Sequence, residues 1–206
     1  MRKAELERKS KETEIKVELN IDGTGKTKIK TPIGILSHML ELFAFHGFFD
    51  LTLEVQKADV QVDIHHTNED IGIVLGKVFK KALDDMKGIR RFGTGFAPME
   101  DSLGQTTVDI SGRGHHKVTF GDAAVARVAI EDSEGYSFKH LEHFIESFAK
   151  QLGANIIVTI QNPSSSADLH TVMETVFKSL GLAMDEATRI DPRRKGEVPS
   201  TKGIID

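Results

Sequence analysis

One histidine/carboxylate pattern occurs twice in this chain at a constant offset. Residues 63–69 (DIHHTNE) and, 105 residues later, residues 168–174 (DLHTVME) both place a histidine four residues before a glutamate. The same offset relates further pairs, which are His38 and His143, Phe43-Ala44 and Phe148-Ala149, Gln56 and Gln161, and Leu75-Gly76 and Leu180-Gly181. Internal repetition predicts two similar halves that pack together. Because imidazoles and carboxylates are retained in both copies, we expect the halves to place metal ligands together.

Hydrophobic periodicity predicts the same order of elements in each half: strands, a helix, a strand and a long helix. In the first half the predicted strands are 11–21, 27–31 and 50–56, and the predicted helices are 33–45 and 68–86. In the second half the predicted strands are 96–99, 105–110, 116–120 and 154–161, the helices are 138–152 and 169–188, and 162–166 is a turn-rich loop. This order predicts an α+β fold with internal duplication: two pseudo-twofold-related halves, 1–92 and 93–190, each with a sheet backed by helices, and a polar tail at 191–206.

The composition narrows the possible functions. The chain of 206 residues has a net charge of −4 and no cysteine. An acidic balance argues against a nucleic-acid binder, which usually has a basic face. Without thiols, a metal must use nitrogen and oxygen ligands, and the composition is consistent with a reducing cytoplasm. No segment approaches the ~20 apolar residues of a membrane span, and residues 1–13 lack the apolar core of a signal peptide, so we expect a cytoplasmic protein that binds neither nucleic acid nor membrane.

Helix geometry explains the repeated spacing. Side chains at positions i and i+4 share a helix face, so His65 can lie beside Glu69, and His170 beside Glu174. Adjacent side chains diverge, so His65 and His66 are expected to serve different centres. Imidazole together with carboxylate suits manganese, iron or zinc. A packing or surface role is favoured instead for His115, His116 and His140.

Several motifs together point to one family. They are LSHML (36–40), HGFFDL (46–51), DIHHTNED (63–70), GIRRFG (88–93), SGR (111–113), EHF (142–144) and PSTKG (199–203). In this combination and order the chain resembles the imidazoleglycerol-phosphate dehydratases. The resemblance implies halves of the ribosomal protein S5 domain 2-like type. It also implies a large homo-oligomer, a 24-mer, with active sites at subunit contacts.

The resemblance further implies two manganese ions per active site. One ion would be held by His38, His66, His170 and Glu174, and the other by His65, Glu69, His143 and the residue at position 171. The chain departs from the family at that last position, where Thr171 stands in place of a second histidine. Three interpretations stay open: water or His140 takes the position, the second ion binds weakly, or the chain is a less active relative.

The implied reaction is the dehydration of imidazoleglycerol phosphate to imidazoleacetol phosphate in histidine biosynthesis, through an imidazolate stabilised by two metal ions. The expected catalytic residues are Glu12 as general base, His46 and Glu174. Substrate contacts are expected from Glu12, His38, His46, His65, Glu69, Arg91, Arg113, Ser200, Thr201 and Lys202, of which the last five are assigned to the phosphate end. The alternative, favoured by Thr171, is a weakly active or non-catalytic relative that binds metal or ligand. A dinuclear hydrolase with the same ligands is a weaker alternative.

Overall fold

The computed structural model of the chain describes residues 1–121, 133, 135–161 and 168–205. The first half contains β1 (Lys3–Lys9), β2 (Glu14–Asn20), β3 (Thr27–Lys30), α1 (Gly34–His46), β4 (Asp50–Lys57) and α2 (Ile64–Leu83). The second half contains β5 (Phe92–Met99), β6 (Ser102–Asp109), β7 (His115–Phe120), α3 (Phe138–Leu152), β8 (Asn155–Gln161) and α4 (Leu169–Thr188). A short 3₁₀ helix, Pro192–Arg194, follows in the tail. The loop predicted at 162–166 lies outside the described residues.

Each half contains one four-stranded mixed sheet, and the two sheets have the same topology. The strand order is β1-β2-β4-β3 in the first sheet and β5-β6-β8-β7 in the second. In both sheets the first three strands pair antiparallel, and the last two strands in the order pair parallel. The predicted α+β fold with duplicated halves, each a sheet backed by helices, is confirmed.

The helices exchange partners between the halves. Helix α2 packs on β1 and β2, and α4 packs on β5 and β6, but α1 packs against α4 and α2 against α3. The repeated glycines permit this packing, because a Cβ at Gly76 would lie 2.6 Å from the Phe148 carbonyl oxygen and one at Gly181 would lie 2.5 Å from that of Phe43. No side chain fits at such distances, so glycine lets the helix backbones approach closely. The repeated Leu-Gly pairs therefore serve contact between the halves.

One apolar core runs through both halves. The rings of Phe43, Phe79 and Phe148 meet edge-on, with centroids 5.7, 5.8 and 6.1 Å apart. Phe144 of α3 also contacts Phe177 of α4, with centroids 5.3 Å apart. Aromatic rings contribute large buried areas and favour such tilted contacts. Each half therefore completes the core of the other.

Some predicted boundaries are wrong, and the structure gives the reasons. Strand β1 is absent from the prediction, because its outward positions carry charges while only Ala4 and Leu6 pack against the core. Helix α2 begins at Ile64 rather than at 68, because the Asp63 carboxylate caps it by accepting the His65 backbone N–H at 2.9 Å. Strand β5 begins at Phe92 rather than at 96. The prediction misses its first residues because the glycines among them are typical of a turn. No described helix is long and apolar enough to cross a membrane.

Candidate metal centres

The first candidate centre lies where α1 meets α4. Glu174 Oε1 is 3.3 Å from His38 Nε2 and 3.2 Å from His170 Nε2. The ligand atoms of all three side chains lie within 4.8 Å of one another. We call this group the first triad. Its members come from both halves, because His38 is on α1 and the other two are on α4.

The second candidate centre is the counterpart of the first under the internal repeat. It consists of His65, Glu69 and His143, whose ligand atoms also lie within 4.8 Å of one another. The rings of His65 and His143 have centroids 4.3 Å apart, and His65 Nε2 is 3.9 Å from Glu69 Oε2. We call this group the second triad. It again takes two members from one half, on α2, and one from the other, on α3.

The donor chemistry of both triads suits a divalent metal. Each triad offers two imidazole nitrogens and one carboxylate, a set that fits manganese, iron or zinc. The ligand atoms are close enough to share one ion after small side-chain rotations. Side-chain exposure ranges from 12% for Glu174 to 43% for His38, so the triads lie at the surface of the single chain. The residues present therefore fit one ion at each triad.

A lysine supports the carboxylate of the first triad. Lys178 Nζ donates to Glu174 Oε2 at 2.5 Å from one helical turn along α4. Burial alone would raise the pKa of Glu174, but hydrogen bonds from Lys178 and His38 outweigh burial and lower the pKa. His46 lies near this lysine, and burial together with the Lys178 charge lowers the pKa of its imidazole. Lys178 therefore favours both the ionised form of Glu174 and the neutral form of His46.

The structure places His66 apart from the first triad. Its Nδ1 lies 2.9 Å from Asp59 Oδ2, and the hydrogen bond to Asp59 raises the pKa of the imidazole. Because an ionised carboxylate only accepts, Nδ1–H is the donor, and in the neutral ring Nε2 keeps its lone pair. Glu12 completes this group, with its carboxylate within 4.8 Å of both partners. Within one chain, His66 therefore joins Glu12 and Asp59 rather than the ligands predicted for it.

Thr171 occupies the position on α4 that His66 occupies on α2. Its backbone N–H donates to the Asp168 carboxylate, which caps α4. His140 is a poor substitute as a ligand, because its Nδ1 accepts the Ser137 backbone N–H at 3.0 Å. A neutral His140 must then carry its proton on Nε2, which leaves no lone pair there for a metal. Of the open interpretations for position 171, the one that uses His140 requires this cap to break.

The residues assigned to phosphate lie along the tail and the strand ends. The Arg91 guanidinium donates to both Asp109 carboxylate oxygens, at 2.6 and 3.2 Å, and to the Pro199 carbonyl at 3.1 Å. Arg91 therefore ties the tail to the second sheet. Ser200 begins a turn in the tail, since its carbonyl accepts the Gly203 N–H at 3.0 Å. Three of the residues assigned to the phosphate are exposed to solvent: Arg113, Thr201 and Lys202.

A surface concavity of about 520 Å³ lies elsewhere, on the first sheet. It is bordered by β1, β2, β4 and the segment 26–28, and by none of the triad residues. Charges of both signs line it, including Lys3, Glu5, Glu18 and Lys28, without any histidine. We therefore assign the chemistry to the triads rather than to this concavity.

Comparison with known proteins agrees with the geometry. The sequence model of the imidazoleglycerol-phosphate dehydratase family matches residues 31–184. The chain is 47% identical to the imidazoleglycerol-phosphate dehydratase of Thermoanaerobacter pseudethanolicus and 44% identical to that of Bacillus subtilis, in each case over 205 residues and 100% of both chains. The chain belongs to the imidazoleglycerol-phosphate dehydratase family. It is therefore an enzyme of the hydro-lyase class.

Solved structures of this family have the same fold. The dehydratase of Pyrococcus furiosus superposes with a TM-score of 0.77 at 34% identity, covering 97% of this chain and 99% of the other. The dehydratase of Staphylococcus aureus superposes with a TM-score of 0.75 at 26% identity, covering 92% of this chain and 99% of the other. The duplicated halves described above are thus a property of the dehydratase fold.

Two residues of the site were not predicted from the sequence. Lys178 follows Glu174 by four residues, and this Glu-x-x-x-Lys spacing was a usable signal for an ion pair on one helix face. Asp59 was harder to find, because it lies in the loop before α2 and meets His66 only through the path of that loop. Second carboxylates of this kind commonly orient metal-ligating histidines in metalloenzymes.

Proposed function

We propose that this chain catalyses the metal-dependent dehydration of imidazoleglycerol phosphate to imidazoleacetol phosphate in histidine biosynthesis. The observation that carries the proposal is the pair of matching triads, each with two imidazoles and one carboxylate, in a chain of this family. A cytoplasmic location is part of the proposal and is supported by the cysteine-free composition.

Two manganese ions are the proposed cofactors. The first triad, His38, His170 and Glu174, would hold one ion, and the second triad, His65, Glu69 and His143, would hold the other. When bound, such ions supply Lewis-acid stabilisation of negative charge on the imidazole ring of the substrate. Lys178 would keep the Glu174 carboxylate ionised and fixed for its part in this site.

A second copy of the chain is proposed to complete each site. Both triads are partly exposed, and three side chains leave part of a metal's coordination shell unfilled. His66 has an Nε2 lone pair directed by the hydrogen bond at Nδ1, yet lies outside both triads of its own chain. We assign it to the first triad of a neighbouring subunit. The expected assembly is the homo-oligomeric 24-mer that the family resemblance implies.

The protein's own groups would move the protons. The Glu12 carboxylate takes the proton from the substrate carbon next to the one that bears the leaving hydroxyl. The C–H electron pair becomes a carbon–carbon double bond, and the hydroxyl leaves as water with a proton from a neighbouring acid. His46, near Lys178, would relay that proton as a neutral imidazole, which accepts a proton at one ring nitrogen and donates from the other. The enol product then rearranges to the ketone, so that one water is lost overall.

The phosphate end is proposed to lie near the tail. Arg113, Ser200, Thr201 and Lys202 would bind the phosphate through charge and hydroxyl donors. Arg91 retains N–H groups beyond those that bond Asp109 and Pro199, so it would both hold the tail and contact phosphate. This arrangement would set the distance between the anionic end of the substrate and its ring.

A second candidate function follows from Thr171. A hydroxyl is a poor replacement for imidazole as a metal ligand at neutral pH, and the Ser137 cap opposes use of His140. The second ion would then bind weakly, and the chain would be a weakly active or non-catalytic relative that binds metal or ligand. This candidate differs from the first only in turnover and in the occupancy of the second triad.

The deciding experiment is an assay of the purified chain with imidazoleglycerol phosphate and manganese, following ketone formation, together with metal analysis. Ketone formation that requires manganese supports the dehydratase. Bound metal without turnover supports the non-catalytic candidate. If the chain neither binds metal nor converts the substrate, both candidate functions are contradicted.

The variant Glu12→Gln tests the assigned base. Removing the carboxylate should lower kcat by about 10²- to 10⁴-fold, because proton abstraction loses its acceptor. Metal content should not change, since Glu12 is in neither triad. Unchanged turnover would remove Glu12 from the mechanism.

A further inference from the structure

The turn that carries Glu12 contains more hydrogen bonds than a connection between two strands requires. It joins β1 to β2, and Ser10 organises it: Ser10 Oγ accepts the backbone N–H groups of Glu12, at 3.1 Å, and Thr13, at 3.0 Å. The Ser10 N–H in turn donates to the Thr13 carbonyl at 2.8 Å. These bonds fix the local shape of the turn but do not anchor it to the rest of the molecule.

Anchoring comes from helix α2. Thr13 is fully buried, and its hydroxyl donates to Asp70 Oδ2 at 2.5 Å. The same carboxylate oxygen is paired with the Arg8 guanidinium on β1. Asp70 itself is only 6% exposed, so the ion pair with this arginine compensates for its burial. From the other side, Lys57 Nζ on β4 donates to the Lys11 carbonyl at 2.5 Å.

The anchor and the proposed chemistry share one helical turn. Asp70 directly follows Glu69 of the second triad and lies four residues after His66, which is grouped with Glu12 and Asp59. A displacement of Asp70 relative to Thr13 would therefore move Glu12 relative to His66. Turns between strands are ordinarily among the more mobile parts of a protein. A base that removes a carbon-bound proton needs its position held closely.

We propose that Asp70 and Thr13 are positioning residues, which hold the Glu12 carboxylate beside His66 by clamping the β1–β2 turn to α2. The inference rests on the proposed function, because it takes Glu12 as the base. It concerns residues that contact neither substrate nor metal and that act through Glu12. Arg8 is part of the clamp, since it neutralises the buried Asp70 carboxylate.

The test compares Thr13→Val with a matched control, Thr106→Val. Both threonines are fully buried, and each hydroxyl bonds to a long helix: Thr13, in the β1–β2 turn, to Asp70 of α2, and Thr106, on β6, to Ser179 of α4 at 2.8 Å. Each substitution removes the hydroxyl's bond to the helix and keeps the shape of the side chain, and Thr13→Val also removes longer contacts of that hydroxyl to Arg8 Nη1 at 3.3 Å and Ser10 Oγ at 3.4 Å, both within the clamp. Only Thr13 neighbours Glu12, so loss of stability is common to both variants and loss of positioning is specific to one.

We expect Thr13→Val to lower kcat by about 10- to 100-fold, with KM and manganese content unchanged. The primary deuterium isotope effect for substrate labelled at the carbon that loses its proton should rise, because proton abstraction becomes more strongly rate-limiting. Thr106→Val should leave kcat and the isotope effect as they are in the unsubstituted chain. Thr13→Ser, which restores a hydroxyl, should recover most of the lost turnover.

Equal kcat values for the two valine variants would overturn the proposal, as would a loss of kcat in Thr13→Val without a change in the isotope effect. Amide hydrogen exchange at Glu12 and Thr13 gives a reading that needs no turnover: exchange should accelerate in Thr13→Val and not in Thr106→Val. If the unsubstituted chain does not convert the substrate, the proposed function fails. Unaltered exchange would show separately that the clamp does not hold the turn.

Discussion

The two halves of the molecule keep the same candidate metal ligands and differ in the residues beside them. Each half supplies one His-x-x-x-Glu pair and one lone histidine, so that both triads form. The residue that follows the histidine of the His-x-x-x-Glu pair is His66 in the first half, where it is bonded to Asp59, and Thr171 in the second half. The repeat thus keeps both triads, whereas the position beside them carries an imidazole in one half and a hydroxyl in the other.

The triads also differ in what supports their carboxylates. Glu174 is held by Lys178, while the position that matches Lys178 in the first half is Ile73. Next to Glu69 along α2, Asn68 joins this helix to α3: its side chain accepts the Tyr136 hydroxyl at 2.6 Å and donates to the His140 carbonyl at 2.9 Å. The carboxylate of the first triad therefore has a charged partner, whereas the residue next to Glu69 makes a neutral junction between α2 and α3.

The largest effect is expected when the first half is made like the second. His66→Thr should weaken manganese binding at the first triad, because a proposed direct ligand is removed. Loss of a residue that only hydrogen-bonds to a ligand costs ~10- to 100-fold in metal affinity, so the loss here should be at least as large. Turnover should fall with it. Isothermal titration with manganese and the ketone assay measure both. His115→Thr, an exposed histidine outside both triads, is the control. Equal binding in the two variants would show that His66 is not a ligand.

The reverse substitution should make the second half like the first. Thr171→His should strengthen manganese binding at the second triad by about 10-fold and raise turnover, because an imidazole replaces a hydroxyl. Titration of the two variants side by side assigns each change to a site. If Thr171→His leaves affinity and turnover unaltered, the departure at position 171 has no consequence for the metal.

A smaller effect is expected from Asp59→Asn. The His66 imidazole would lose its carboxylate partner but keep a hydrogen-bonding neighbour, so manganese binding should weaken by about 10-fold. The second half offers a comparison at the sequence level, since Ser164 stands at the position that matches Asp59. Binding as tight as in the unsubstituted chain would mean that Asp59 does not orient His66.

The smallest effect concerns stability and its dependence on pH. The Asp50 carboxylate accepts the backbone N–H groups of Thr24, at 2.8 Å, and Lys26, at 3.1 Å, whereas its counterpart Asn155 is neutral. The Thr24 backbone hydrogen bond is the main cause that lowers the pKa of Asp50. The stability that the Asp50 carboxylate contributes to the fold is therefore present above the ordinary aspartate pKa and is lost as the pH falls through the lowered pKa.

Asp50→Asn should accordingly reduce the free energy of unfolding by about 1 kcal/mol at neutral pH. The difference from the unsubstituted chain should vanish in acid, once Asp50 is protonated in the folded state. Urea unfolding at a series of pH values measures this. A difference that stays constant into acid would mean that the charge of Asp50 does not stabilise the turn.

Much of the fold and of both triads could be predicted from the sequence. The period of the apolar residues predicts α4 as observed, and the i, i+4 spacing brings His65 to Glu69 and His170 to Glu174. The constant offset indicates that His38 and His143 belong to the same set. These features are local or repeated, so a single sequence contains them.

The remainder depends on long-range geometry. Nothing in the order of elements says that α1 packs against α4 rather than against its own neighbour α2. The pairing of His66 with Asp59 and the bonding of Arg91 to Asp109 and Pro199 depend on how loops and the tail return to the sheets. Charged β1 escapes prediction for a related reason, since an edge strand can keep one face in water.

The exchange of helices has a consequence for how such a chain could arise. Each triad needs one histidine from one half and two ligands from the other, so a single half could assemble a triad only by pairing with a copy of itself. A half-length ancestor is therefore expected to have been a symmetric dimer with two identical centres. Fusion of two genes would then have allowed the two centres to diverge in sequence, and the difference between His66 and Thr171 is an example of such divergence.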